Sequence, residues 1–514
     1  MPMTAAHSVD GEVSTNSRLF WASLVSLVAT AFSFMLRMLL LGDWQKEFGL
    51  SETEKGEILG AGLWPFAVSI ILFSFIIDRV GYGKAFAFAF ICHVGFAVIT
   101  MNADGYGMLY WGSVVGALGN GTIEAAINPL IASIYKKDKI KWLNILHAGW
   151  PGGLVVTGVL ALLLPVEMDW RHKIALIFIP TVAYGVMLLG ARFPIHERVA
   201  AGVSDREMAR EMGWGGAFIV AFMMVSELSS QFGLEDQTTR WAIILGITVG
   251  FGAWVRSFGR PLFVFLLFIM ILLATTELGT DSWIKELMGP SMKTAFGLDA
   301  GWVLVYTAFL MMMLRTFCGP IVERLSPLGI LAGSSAFAAV GIFALGYVEA
   351  AGAIFVVATI YGIGQTFFWP TTLGVVSEQF PRGGAITINV IAGIGMLGVG
   401  VLGNPWLGNV QDNEIADRLK ADHPELATTY VTEKKKSVFG DYTALNQKKL
   451  DEKTTPEAHK KDITDARNAA KKSAFVKVSA LPVIMLILYV GLIFWFRSRG
   501  GYRPVELEAE GGKS

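Results

Sequence analysis

The stretch GEILGAGLWPFAVSIILFSFIIDRVGYGK occupies residues 56–84 and indicates the fold class. Its apolar part, 56–77, is long enough to cross a membrane as a helix, because about 20 residues at 1.5 Å rise span the hydrocarbon core. Asp78 and Arg79 follow at once, and Lys84 closes the stretch. The pattern predicts a membrane helix, a short charged loop and then a second membrane helix.

The composition of the whole chain agrees with this interpretation. Of its 514 residues, 53% are hydrophobic and 16% charged, whereas soluble domains carry about 25% charged residues. Lys+Arg and Asp+Glu both number 42, so the net charge gives no indication of a nucleic acid partner. Cys92 and Cys318 both lie in apolar runs, which excludes a disulfide framework.

Apolar runs of similar length recur in two sets of six. The first set covers roughly 19–41, 56–77, 84–102, 107–134, 142–165 and 172–192. The second set covers roughly 261–280, 300–322, 327–348, 352–378, 382–408 and 475–496. Two further runs, 214–231 and 241–258, are either an extra membrane pair or a hairpin on the membrane surface. Their length favours crossing, which gives about 14 transmembrane helices.

The expected fold is an all-α membrane protein of two pseudo-symmetric six-helix bundles with an extra helix pair between them. The predicted segments are a polar N-terminal tail at 1–18, a first bundle at 19–192, a central linker with the extra pair at 193–260, five helices of the second bundle at 261–408, a polar external insertion at 409–474, the last helix at 475–497 and a cytoplasmic tail at 498–514. The insertion is rich in Lys, Asp, Glu and Thr and poor in aromatics, which predicts a solvated segment, part helical and part disordered.

Basic residues in the short loops predict the orientation. They collect on one side of the predicted membrane segments, at Arg79, Lys84, Lys136, Lys137, Lys139, Lys141, Arg192 to Arg210, Arg324, Arg382, Arg497 and Arg499. The opposite side has few. We therefore expect a multi-pass protein of an inner or plasma membrane with both termini in the cytoplasm.

The two halves of the chain echo each other in three places. Phe48–Ser51 resembles Phe296–Asp299, and Asp78–Gly81 resembles Glu323–Ser326. In the fourth helix Glu124 lies five residues before Pro129, and in the corresponding helix Gln365 lies five before Pro370. Three echoes in the same order predict a duplicated six-helix unit, with a solute site between the halves.

Two motifs resemble a known transporter family. The run from Ser74 to Lys84 resembles the loop signature of the major facilitator superfamily, a Gly-x-x-x-Asp-Arg-x-Gly pattern that ends in basic residues, and departs from it at Ser74. Glu124-Ala-Ala-Ile-Asn128-Pro129, followed by Asn144, is similar to the fucose:proton symporter branch of that superfamily. Apart from the central pair and the insertion, the resemblance covers most of the chain.

The resemblance implies a role for the charged loops and points to one departure. Asp78 and Arg79 are expected to gate the conformational change, and Glu323 and Arg324 are their counterparts in the second half. The sugar branch pairs its fourth-helix carboxylate with an acidic residue of the first helix. This sequence has Arg37-Met38 there instead.

Glu124 is the first candidate for proton coupling. A carboxyl group inside a membrane helix is costly and usually functional. Asn128 is four residues further on and therefore shares its face, and Pro129 frees a backbone carbonyl one turn back. Glu277 is a candidate second proton group. For Glu124 the alternative is a carboxyl group that is hydrogen-bonded between helices for packing alone.

Two arginines also lie inside apolar runs. Arg315 is about two turns from a predicted helix end, where it either pairs with a carboxylate, holds a gate closed or forms a static ion pair. Arg37 is nearer to an end of its run, and we expect its side chain to extend to the membrane surface.

A sugar site requires amide or carboxyl groups for hydroxyls and aromatic faces for the ring. Candidate solute-binding residues are Asn128, Asn144, His147, Trp150, Gln365, Trp369 and Asn389. The two tryptophans each precede a proline, although a membrane-interface or packing role is the stronger interpretation for any single tryptophan.

The sequence therefore predicts a secondary active transporter of a sugar or similar small polar solute, working by proton symport as a monomer. A uniporter or antiporter of another solute, and a solute sensor with a transporter fold, remain alternatives. No phosphate-binding loop, metal cluster or nucleophile–base pair is apparent, so we expect no cofactor, no metal and no enzymatic activity.

Overall fold

The computed structural model of the chain describes residues 4–506, apart from 51, 166, 196, 235, 282–300, 349, 438–439 and 451–455. The predicted echo at Phe296–Asp299 lies outside the described residues. Apolar helices make up most of the remainder, because a backbone in hydrocarbon must satisfy its own N–H and C=O groups.

Helices α1 to α9 form the first half. Their bounds are α1 Thr4–Phe48, α2 Glu52–Gly60, α3 Trp64–Val80, α4 Tyr82–Met101, α5 Tyr106–Ile134, α6 Lys139–Leu146, α7 Gly149–Leu163, α8 Trp170–Ile174 and α9 Phe178–Leu188. Helix α1 begins at Thr4, so a helix covers most of the stretch 1–18 that the sequence predicts as a tail. No proline interrupts the backbone between Thr4 and Leu19, and a helix can therefore run through it.

The centre and the second half follow. Their bounds are α10 Glu197–Ala200, α11 Asp205–Gln231, α12 Gln237–Val255, α13 Pro261–Ala274 with a π-helical turn at Thr275–Gly279, α14 Gly301–Thr316, α15 Gly319–Arg324, α16 Pro327–Leu345, α17 Ala351–Gln365, α18 Phe368–Gln379, α19 Gly384–Gly398 with a second π-helical turn at Val399–Gly403, and α24 Ala480–Arg497. The segment between α19 and α24 is the insertion.

Eleven helical segments of the described residues are long and apolar enough to cross a membrane. They include both members of the central pair, Asp205–Gln231 and Gln237–Val255. Helix α5 has 29 residues but falls outside this set, and its polar residues, among them Asn120, Glu124 and Asn128, lower its hydropathy. The count of 14 transmembrane helices stays a prediction.

Several runs that the sequence predicts as single helices are broken in the structure, and two of these breaks share one feature. The run 142–165 divides between α6 and α7, and 352–378 divides between α17 and α18. In each case a proline, Pro151 or Pro370, stands in the first turn of the second helix, where its missing N–H costs nothing. The backbone bends just before it and exposes polar groups inside the apolar region.

The two halves meet along tightly packed helix pairs. A Cβ atom added to Gly374 of α18 would lie 2.5 Å from Ile140 of α6, and one added to Gly393 of α19 would lie 2.5 Å from Ile71 of α3. Glycine is therefore required at both positions for this approach.

The insertion is folded in the described residues, which corrects the expectation that it is partly disordered. It contains α20 Asn404–Asp422, α21 Pro424–Tyr430, the antiparallel strands β1 Glu433–Ser437 and β2 Gly440–Ala444, α22 Gln447–Leu450 and α23 Glu457–Val478. Its core contains Ile415, Leu419, Leu426 and Ile463. The helices place these few apolar residues on shared faces, so a polar composition still builds a core. The two strands are also a departure from the predicted all-α fold.

Candidate functional site

A buried hydrogen-bonded group lies in the first half around Glu124. Asn128 Nδ2 donates to Glu124 Oε2 at 2.8 Å, and His147 Nε2 donates to Asn128 Oδ1 at 2.9 Å. All three residues are at most 6% exposed. The helical spacing between Glu124 and Asn128 produces the first contact, and the break between α6 and α7 brings His147 to the second.

Pro129 has a direct structural consequence within α5. Because it has no N–H, the Ala125 carbonyl one turn earlier has no helical donor. Asn389 Nδ2, from α19 in the second half, donates to this carbonyl at 3.0 Å. The carbonyl that Pro129 frees in α5 is thus bound by an amide of the second half.

The second half contributes a buried ion pair. Arg315 of α14 lies with Nη2 3.5 Å from Glu277 Oε1, and the two side chains are 2% and 8% exposed. Arg315 also donates from Nη1 to the His147 carbonyl at 3.0 Å and from Nε to the Thr366 carbonyl at 2.7 Å. Arg315 therefore joins Glu277 to the group around Glu124.

Glu277 lies in the π-helical turn at Thr275–Gly279. Such turns are frequent at functional sites, because they free backbone carbonyls. The hydroxyl of Tyr361 donates to the carbonyls of Thr276 and Glu277, both at 3.1 Å. The sequence analysis missed Tyr361, since a tyrosine within an apolar run carries no spacing signal.

Three of the predicted solute-binding amides share one property. Asn144, Gln365 and Asn389 are at most 1% exposed, and the amide oxygen of each has no hydrogen-bond partner among the residues that the structure describes. The Asn144 amide nitrogen donates to Thr371 Oγ1 across the halves at 3.3 Å. Buried acceptors without a donor are costly, so these oxygens are suited to the hydroxyls of a solute.

The two predicted tryptophans lie apart from this hydrogen-bonded group. The ring of Trp150 packs against Phe34 of α1, with centroids 5.4 Å apart. The ring of Trp369 packs closely on Gly395 of α19. Both remain partly exposed.

Four of the predicted gating residues lie at the basic side of the helices, namely Asp78, Arg79, Glu323 and Arg324. Their contacts differ. Arg79 forms an ion pair with Asp205, which the sequence analysis did not single out, at the start of α11. Glu323 pairs with Lys141 of the first half at 2.8 Å. One side-chain oxygen of Asp78 is buried, and Arg324 is exposed.

The ammonium group of Lys141 holds the pKa of Glu323 below its usual value. The ion pair is therefore complete above the ordinary carboxyl pKa and is lost as the pH falls through the lowered value. This contact closes the halves toward each other at the basic side.

Arg37 corrects the sequence expectation. It is 2% exposed and does not extend to the membrane surface. Its guanidinium lies against Gly62, where the chain turns between α2 and α3, since a Cβ added there would overlap it. The reason is that α1 continues to Phe48 rather than ending near Leu41.

Comparison with known proteins identifies the architecture. The family model described as Major Facilitator Superfamily matches residues 22–404. Comparison with the curated proteins finds no match.

Similar solved structures include a proton:xylose symporter, XylE, with a TM-score of 0.59 and 13% identity over 93% of this chain and 96% of that chain. They include the E. coli fucose:proton symporter FucP, with a TM-score of 0.56 and 13% identity over 93% and 99%. A bacterial homolog of the human lysosomal transporter Spinster has a TM-score of 0.58 and 14% identity over 96% and 99%. At these identities the likeness shows the fold alone.

Proposed function

The chain belongs to the major facilitator superfamily, and we propose that it is a secondary active transporter that moves a sugar or similar small polar solute by alternating access with proton symport. Transporters of this kind hold their solute between two repeated halves and expose it to one side at a time. The resemblance to sugar:proton symporters in the sequence motifs and the fold supports this proposal.

The buried path from Glu124 to Glu277 is the observation that carries the proposal. It runs through Asn128, His147 and Arg315, and its step from the His147 carbonyl to Arg315 crosses between the halves. A carboxylate accepts hydrogen bonds only, whereas a protonated carboxyl group also donates. A proton taken up by Glu124 therefore weakens its contact with Asn128 and loosens the path to the second half.

The other residues take supporting roles in this proposal. Glu277 is the second proton group. The solute lies against the amides of Asn128, Asn144, Gln365 and Asn389, with His147, Trp150 and Trp369 beside them. Asp78, Arg79, Arg315, Glu323 and Arg324 gate the conformational change.

We also propose that the protein lies in an inner or plasma membrane as a monomer, with both termini cytoplasmic. The excess of Lys and Arg on one side of the helices supports this orientation. Small solutes and protons are the partners in this proposal, and no cofactor takes part.

Purified protein in liposomes with an internal pH dye tests the proposal. A panel of sugars and related polar solutes is added outside. We expect solute-dependent acidification in the wild type and its loss in Glu124→Gln, since the amide cannot carry a proton.

Glu227→Gln is the matched control, because Glu227 lies in α11 outside the path. We expect this variant to acidify the liposomes as the wild type does. Uptake of labelled solute without acidification would refute symport and favour a uniporter or antiporter. Solute binding without uptake would refute transport and favour a sensor.

A further inference from the structure

Arg37 is a buried cation that forms no ion pair with the residues that the structure describes. Its Nε donates to the Ser33 carbonyl at 3.1 Å, and its Nη1 has no acceptor among the residues that the structure describes. The same described residues offer it no carboxylate within ion-pair distance. Burying a charge without a counter-ion is costly, and charged residues inside membrane segments often mark the path of a substrate or an ion.

The surroundings of this guanidinium favour an anion. It lies against Gly62 at the break between α2 and α3, and α3 begins at Trp64 with a proline in its first turn. The N-terminus of a helix in a broken membrane segment carries a partial positive charge and free N–H groups. The guanidinium, the helix terminus and the Nη1 donor, which has no acceptor among the described residues, together form a positive site.

Arg37 is connected through Phe34 to Trp150, one of the proposed solute-binding residues. Its guanidinium lies 5.9 Å from the ring centroid of Phe34, which packs on Trp150. On its other side Ser33 Oγ accepts from Asn120 Nδ2 at 3.4 Å. Asn120 is four residues before Glu124 on α5, one turn along the same face.

We infer that the transported solute is a hydroxylated organic acid whose anionic group pairs with Arg37. The hydroxyls supply the donors that the amide oxygens of Asn144, Gln365 and Asn389 lack, and the acid group supplies the acceptor that Arg37 lacks. This inference rests on the proposed transport function and replaces a neutral sugar by a sugar acid or similar compound. Its carboxylate forms a charge-assisted pair with the guanidinium.

Thermal unfolding of the full-length protein with matched pairs of solutes tests the inference. The probes are D-glucose with D-gluconate and D-glucuronate, and D-galactose with D-galactonate. Because a ligand that binds only the folded state stabilises it, we expect one or more acids to raise the Tm where the neutral sugars do not.

Arg37→Met separates a binding role from a structural one. It removes an unpaired buried charge, so the ligand-free Tm is expected to rise while the shift with the acid is lost. Arg37→Lys keeps the charge and is expected to retain part of the shift. Equal shifts with neutral sugars in wild type and Arg37→Met, or no shift with any acid, would overturn the inference.

A second variant keeps Arg37 and displaces it. In Gly62→Ala the new Cβ overlaps the guanidinium. We therefore expect the apparent affinity for the acid, measured from the Tm shift, to decrease at least several-fold. Gly60→Ala, whose Cβ meets nothing within 4 Å, is the control and is expected to behave as wild type. An unchanged affinity in Gly62→Ala would contradict the site.

Uptake into liposomes keeps the two proposals distinguishable. Acid binding that depends on Arg37 without uptake refutes transport, and with it the acid as a transported solute, but supports an acid-binding site at Arg37. Uptake of a neutral sugar that is unaffected by Arg37→Met supports transport and overturns the inference.

Discussion

The guanidinium of Arg315 holds groups from three parts of the chain, the Glu277 carboxylate and the carbonyls of His147 and Thr366. Both charged side chains are buried, so neither has water as an alternative partner. In such a pair the loss of one partner costs more than the pair contributes, because the remaining charge is stranded. The contact therefore makes the two halves interdependent at a single residue.

Removing the cation alone is expected to destabilise the protein. Arg315→Met leaves the Glu277 carboxylate buried without a counter-ion, and we expect a loss of about 3–5 kcal/mol in the free energy of unfolding. Thermal unfolding monitored by intrinsic fluorescence measures the effect as a lower Tm. The double variant Arg315→Met/Glu277→Leu is the control and is expected to recover most of the loss. A double variant no more stable than Arg315→Met would refute the ion-pair explanation.

Single residues differed in how well the sequence predicted them. Glu124 and Asn128 could be placed together because one helical turn separates them. The contact of Arg315 with Glu277 could not, since it depends on how α13 and α14 pack. Arg37 was wrongly expected to reach the surface, because an apolar run ends earlier than the helix that contains it.

At the scale of elements, α5 shows how a proline can connect two helices. Pro129 leaves the Ala125 carbonyl without a donor, and Asn389 of α19 supplies one. The interruption in α5 and the amide of α19 thus form one unit.

A double-mutant cycle tests this unit. Asn389→Leu leaves a buried carbonyl unsatisfied, and we expect it to cost about 1–3 kcal/mol of stability. In a Pro129→Ala background the restored N–H satisfies the Ala125 carbonyl, so Asn389→Leu is expected to cost less there. Tm values of the four proteins measure the coupling. Equal costs of Asn389→Leu in both backgrounds would contradict the proposed link.

The central pair gives a second prediction at this scale. If α11 and α12 both cross the membrane, the turn between them lies on the outer face. We expect Gln237→Cys to react with an impermeant thiol reagent from outside in intact cells. The two natural cysteines are buried, so the wild-type protein serves as the control. Reaction only after the cells are opened would refute 14 crossing helices.

Elements were predictable where hydrophobicity defines them and not where tertiary contacts do. Membrane helices are recognisable by their length and apolar content, and both helices of the central pair are long and apolar enough to cross a membrane. The fold of the insertion depends on a few apolar positions such as Ile415 and Leu419. The mean composition of the segment does not show them, because polar residues outnumber them. Pro151 and Pro370 can be read from the sequence, but the sequence analysis did not predict that a helix would break just before each of them.

For the whole molecule, the proposed alternating access requires the halves to separate at the basic side. Lys141 and Glu323 form an ion pair there between the first and second halves. The Lys141 side chain is partly exposed and the Glu323 side chain is largely exposed. Such an exposed ion pair is weak, so it is suited to break and re-form during a transport cycle.

Cross-linking across this pair is expected to stop transport. Lys141→Cys/Glu323→Cys in a Cys318→Ala background is treated with a short bifunctional methanethiosulfonate. We expect solute uptake to fall at least tenfold and to return after reduction, because the halves can no longer separate. The two single-cysteine variants are the controls. Full uptake by the cross-linked protein would refute a rocking motion at this contact.

The insertion has a further consequence because its long helices continue those of the membrane region. One helical segment runs from Pro381 to Asp422 and another from Glu457 to Arg497, so α20 and α23 are rigid extensions of the second half. Helix α20 has 19 residues and projects about 28 Å at 1.5 Å per residue. If these helices move with the second half, we expect a small tilt of that half to become a larger displacement at the far end of the insertion. A fluorophore placed there would report the transport cycle as a change in distance.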